Sequence, residues 1–154
     1  MSSMMLQSAL KTIIERVVSD ILLPSQEGDS KKVQVFKQHL PRKIKSISRN
    51  PESTFYPCVI VYLDEGKRGE VKILFIVATH DEGEGNQGYQ DAMNIVEKIM
   101  QEFGKKPLVV DRYEMREEYD WFYNDQDNYP YFFAWIETVF EIPRIMREDV
   151  EVMI

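Results

Sequence analysis

The sequence predicts an α+β fold: a mostly antiparallel sheet of four to five strands with two helices packed on one face. Three observations predict it. Two segments repeat apolar residues every three or four positions, the spacing of a helix face. Several others alternate or run apolar over strand length. Two of these, "PCVIVYL" and "VKILFIVAT", flank a short glycine-bearing stretch, "DEGKRGE", as the arms of an antiparallel hairpin do.

In chain order, the first element is a helix with Leu6, Leu10, Ile13, Ile14, Val17, Val18 and Ile21 on one face. Pro24 closes it, and "PSQEGDS" reads as a loop. Val33 and Val35 alternate with polar neighbours and start an edge strand, which Pro41 interrupts. "SRNPEST" is a turn-rich connection to the hairpin. In its second arm Val71, Ile73, Phe75 and Val77 share one face, and Lys72, Leu74, Ile76 and Ala78 the other. A second helix follows, with Tyr89, Ala92, Met93, Val96, Ile99, Met100 and Phe103 as its stripe. Gly104 suits the position just past its end, and Pro107 stops it. "PLVVDRYEM" is a strand with Val109, Asp111, Tyr113 and Met115 on one face. "REEYDWFYNDQDNYP" is a long acidic and aromatic connection, and "YFFAWIETVFEIP" is the last strand. The whole of 1–154 reads as one domain, with 144–154 as a C-terminal tail.

Composition narrows the function. Apolar residues at 44% and charged residues at 29% describe an ordinary globular chain with enough length for a core. A net charge of −7 opposes nucleic-acid binding, which needs a basic footprint, so no specific nucleic-acid partner is expected. No apolar run is long enough to span a membrane, and "MSSMMLQSAL" lacks the pattern of a signal peptide. Cys58, the single cysteine, lies inside an apolar run and reads as a small buried hydrophobe.

Charge is unevenly spread. Lys31, Lys32, Lys37, Arg42, Lys43, Lys45 and Arg49 form a stretch without acids, while acids dominate from Asp111 onward. Two solvated surfaces would account for this; so would head-to-tail self-association, basic segment to acidic end, and a nucleic acid near the basic segment is a third, weaker reading. The aromatic stretch reads as core or local packing, or else as a second interface candidate. Tyr119, Trp121, Phe122, Tyr123 and Tyr129 sit among Asp and Asn, away from any evident core position.

The stretch "THDEGEGNQGYQ" tests for chemistry. His80, Asp81, Glu82 and Glu84 are metal-ligand types, but a calcium loop counted from Asp81 puts Gly83, Gly85 and Gln87 at the alternating positions and Ala92 at the twelfth. Gly83, Gly85 and Gly88 match a dinucleotide-binding spacing, yet Asp81, Glu82 and Glu84 place negative charge where the anion would sit. The stretch reads instead as a strand-to-helix bend, capped by Asn86 or an acidic neighbour. The many later carboxylates lack a companion base or nucleophile. No metal, cofactor or catalytic residue is expected. A small metal-dependent hydrolase using Asp81 and Glu82, and a regulatory protein-binding module, stand as alternatives.

The order of the N-terminal helix, "YPCVIVYL" with "VKILFIVAT", the glycine turn into "GYQDAMNIVEKIMQEF" and the closing "YPYFFAWIETVFEIP" carries a resemblance across roughly residues 5 to 143. The chain resembles the small tail-terminator and tail-completion (minor tail) proteins of long-tailed bacteriophages. The resemblance implies an α+β sheet with packed helices and a structural, non-enzymatic virion role. It implies ring assembly, commonly hexameric, at the head-proximal end of the tail tube, where such rings stop tube growth and face the head-completion proteins. Assembly would take place in the cytoplasm of the bacterial host. That family has no catalytic signature, so no functional residue carries over. The basic segment and the aromatic connection are the interface candidates from this sequence itself.

Overall fold

Two eleven-residue strands, β5 (Glu70–His80) and β9 (Tyr131–Glu141), pair antiparallel along their whole length and form the spine of the sheet. The structure, a computed structural model, describes residues 2–24, 30–40, 55–83, 85, 87–124 and 126–143. The remaining elements are α1 (Ser2–Val17), β1 (Leu22–Pro24), β2 (Ser30–Lys32), β3 (Gln34–Lys37), β4 (Cys58–Lys67), α2 (Gln87–Lys105), β6 (Leu108–Val109), β7 (Tyr113–Met115) and β8 (Asp120–Tyr123). The main sheet runs β3-β4-β5-β9-β7-β6, and β8 pairs with β9.

The class is α+β, but the sheet corrects the expected strand count and pairing. It has seven strands and is mixed, because β3 runs parallel to β4 with Gln34 beside Cys58 and Lys37 beside Val61. β1 and β2 form a separate two-stranded ribbon. The proposed strand over "PLVVDRYEM" is two strands: Val110 and Asp111, at φ 53° and 56°, reverse the chain between β6 and β7. Asp111 therefore lies in a turn and shares no face with Tyr113. Part of the expected aromatic connection is a strand, β8. The hairpin loop is tighter than expected: β4 continues to Lys67 and only Arg68 and Gly69 turn, with Gly69 at φ 87°. Gly104 lies inside α2 instead of just beyond it. Tyr89 is exposed, and Ile95 takes a place on the buried face of α2.

Period-two alternation sets the faces of the sheet. Val71, Ile73, Phe75 and Val77 of β5 join Ala134, Ile136 and Phe140 of β9 on the inner face, all buried. Both helices cover this face. α1 packs on β3 and β4 through Leu6, Leu10 and Ile14; α2 packs on β5 and β9 through Ala92, Ile99 and Phe103. Phe103 stacks on Phe75 at 5.6 Å and meets Phe140 edge-on at 5.8 Å. Fully burying an aliphatic or aromatic side chain contributes about 1.5–3 kcal/mol, so this shared layer is the main source of stability.

Polar groups tie the margins to the core. Gln38, at φ 65°, extends β3 with its side chain: Oε1 accepts the Leu63 N–H at 2.8 Å and Nε2 donates to the Leu63 carbonyl at 3.0 Å. Buried Gln7 on α1 donates to the Val61 carbonyl at 2.9 Å and to Gln38 at 3.0 Å. At the start of α2 the Thr79 hydroxyl donates to the Gly88 carbonyl at 2.7 Å.

Candidate interaction surface

Of the sequence candidates, Lys37 and the β8 aromatics fall on opposite margins of the main sheet. Lys31 and Lys32 lie on β2, and Lys37 ends β3, where its Nζ donates to the Ser8 hydroxyl of α1 at 3.2 Å. Arg42, Lys43 and Lys45 lie outside the described residues, as does Arg49. Tyr119, Trp121, Phe122 and Tyr123 lie at the other margin, on or just before β8. Four inter-strand steps separate β3 from β8, about 19 Å. Lys37 and the β8 aromatics therefore cannot form one site within a single copy.

The aromatic group is partly ordered by packing. Phe122 stacks on Trp135 at 5.4 Å with an interplanar angle of 20°. Tyr123 turns inward against Tyr89 of α2 at 5.7 Å, and burial followed by the nearby Tyr89 pushes its phenol up from the ordinary value. Trp121 remains 51% exposed and Phe122 40%. Tyr129 stands apart, with its hydroxyl donating to the Glu82 carbonyl. The expected group is thus a short exposed strand plus one tyrosine anchored to the Asp81 bend.

Register adds residues that the sequence reading missed. Phe36, Ile60, Ile76, Trp135 and Phe122 are successive cross-strand partners, so one apolar row crosses the outer face from β3 to β8. It ends in a phenylalanine at each margin. Alternation was legible in β5 and β9, but neither β8 as a strand nor the order β3-β4-β5-β9-β8 that aligns the row was. A second apolar group sets exposed Met4 and Met5 of α1 beside exposed Val110 at the β6–β7 turn. A β-branched residue with positive φ is unusual, and nothing in "LVVDRY" marks a turn.

An open groove of about 1040 Å³ lies on the outer face beside the β4–β5 turn. Its charges engage each other: Lys72 pairs with Asp64 and Glu137, each at 3.7 Å, and Arg116 with Glu70 and with Glu141. The hydrogen bond from Lys67, with help from Arg116, holds the Glu70 carboxyl below its usual value.

The bend after β5 is built for geometry. Asp81 Oδ1 accepts the Gly83 N–H at 2.8 Å, and the Asp81 N–H donates to the Pro130 carbonyl at 2.9 Å. His80 is buried against Tyr131, and Glu82 approaches its Nε2 at 3.6 Å. Burial lowers the affinity of His80 for a proton, against the opposing pull of Glu82 and then Asp81. Among the described residues no three His, Cys, Asp or Glu side chains gather as a metal site. Glu84 and the proposed Asn86 cap lie outside the described residues.

Compared with known protein families and with curated proteins, the chain matches none.

Proposed function

We propose that this chain is a structural, non-enzymatic subunit that assembles head to tail into a ring, in the manner of the phage tail-terminator and tail-completion proteins it resembles. In that role it would close the tail tube and meet the head-completion proteins in the virion. The observation that carries the reading is the disposition of the two sheet margins. β8 presents Trp121 and Phe122 to solvent beside Glu117, Glu118 and Asp120, while Lys37 marks the opposite margin and Lys31 and Lys32 lie on β2, shortly before β3 in the chain. Exposed aromatics suit the centre of a protein interface, and opposite charges at opposite ends favour a heterologous contact over a two-fold one. A closed ring follows when each contact turns the next copy by the same angle.

Sedimentation across a wide concentration range, with and without purified tail tubes, tests the reading. The expected result is a concentration-dependent oligomer and a discrete ring at the tube end. A chain that stays monomeric and ignores tail tubes would refute it. The hydrolase alternative predicts divalent-metal heat in calorimetry that Asp81→Ala abolishes.

A further inference from the structure

We infer that the outer edges of β8 and β3, which no other strand pairs among the described residues, pair antiparallel with each other between two copies, with Phe122 opposite Phe36, Trp121 opposite Lys37 and Tyr123 opposite Val35. This rests on the head-to-tail reading above and specifies its contact.

Hydrogen-bond direction supports this register. Gln34 and Gln38 donate their backbone N–H to Pro57 and Val61, so the even positions of β3 face β4. Val35 and Lys37 therefore aim their backbone groups away from the sheet. The Asn124 N–H donates to the Phe133 carbonyl, so the even positions of β8 face β9, and Trp121 and Tyr123 aim theirs outward. In the proposed register the two outward pairs meet each other and Phe122–Phe36 becomes the intervening non-bonded pair. The Lys37 carbonyl already accepts the His39 N–H and keeps a second lone pair.

Side-chain faces agree as well. Phe36 and Phe122 both lie on the outer face in the row through Ile60, Ile76 and Trp135, whereas Val35 and Tyr123 both point inward. Pairing these edges continues the apolar row from copy to copy without a break. Strand direction also fits. β3 and β4 run together, and each step through β5, β9 and β8 reverses, so β8 of one copy meets a like-oriented neighbour's β3 antiparallel. Charge favours the same occupant, since Lys37 would approach the margin carrying Glu117, Glu118 and Asp120. Monomeric proteins guard edge strands with lysine, proline or a bulge, and β8 carries none of these.

Two variants that each add one cysteine, Phe36→Cys and Phe122→Cys, test the register when purified separately and mixed at high concentration under mild oxidant. A non-bonded antiparallel pair holds its Cα atoms about 4.5 Å apart, within disulfide range. Cys58 is buried with its thiol pushed up to about 12, so it stays out of the exchange. A disulfide dimer in the mixture, and in neither variant alone, is the expected result. A dimer of Phe122→Cys with itself would overturn the proposal in favour of a two-fold contact. Oligomers or tube-end rings without the mixed disulfide would overturn the strand pairing and leave the tail reading standing. The mixed disulfide without tube binding would keep the pairing and remove the tail reading. Monomer throughout, with no tube binding, would remove both. Trp121→Pro gives a second measurement, because it deletes an outward N–H and leaves the bonds to β9. It should melt like the unmodified chain and weaken self-association by roughly tenfold or more; unchanged association of a folded Trp121→Pro would overturn the pairing.

Discussion

Alanine at Gly88 and at Gly104 should shift stability in opposite directions, although both glycines lie one residue inside an end of α2. Helix propensity alone favours alanine at each site by up to about 1 kcal/mol. At Gly104 a Cβ would meet nothing within 4 Å, so the substitution should stabilise by up to that amount. At Gly88 the same atom would sit 2.2 Å from Phe132 Cδ2, 2.6 Å from Cε2 and 3.0 Å from Cγ. Ordinary contact starts at 3.4 Å, so 3.4 − 2.2 leaves 1.2 Å to be found by movement. Cγ is at the root of the ring, so rotation about the ring axis cannot clear it. The helix start or β9 must shift, and the shift also strains the Thr79 hydrogen bond to the Gly88 carbonyl. Overpacking costs about 1–3 kcal/mol. After the propensity gain, Gly88→Ala should destabilise by about 1–2 kcal/mol. Urea titration of the two variants beside the parent checks this, with melting temperatures moving about 2–4 °C per kcal/mol. A Gly88→Ala midpoint that rises alongside that of Gly104→Ala would refute the close packing of α2 on Phe132.

Gln38→Ala strips partners from both backbone groups of Leu63 and should cost about 1–3 kcal/mol in the same titration; an unchanged midpoint would show that water replaces the amide. Cys58 should resist a thiol reagent at pH 8 until denaturant is added, because burial pushes its thiol to about 12; prompt labelling of the native chain contradicts that. His80 is held below its ordinary value by burial, so the unfolded chain binds its proton first as pH falls. Its contribution should be complete above about pH 6.5 and decline below it. His80→Gln should show a shallower loss between neutral pH and pH 5 than the parent in urea titrations, and an identical loss would assign the slope to carboxylates.

What was readable in the sequence was whatever a residue decides with its near neighbours. The β5 and β9 alternations and the α1 stripe follow from periodicity, because a face that must leave water repeats at the period of its element, and the burial of Cys58 follows from the apolar run around it. The short strands were illegible for a local reason. β6, β7 and β8 have two, three and four residues, too few for a period to register, and β8 sits among acids typical of loops. The Val110–Asp111 turn carries no glycine, so its reversal had no signal. The candidate surface was half legible: exposed aromatics and a basic stretch could be named, while the placement of Lys37 and the β8 aromatics on opposite margins could not.

By itself, then, the sequence determined the class, the two helices, the long hairpin and which residues of β5 and of β9 share a face, because these follow from short-range patterning and the need to bury apolar area. Only the tertiary structure decided the rest. The parallel entry of β3, the ending of the sheet at β8, the row from Phe36 to Phe122 and the tight seat of Gly88 on Phe132 all join residues far apart in the chain. Strand order and register choose such pairings, and they are global choices that no local window of sequence contains.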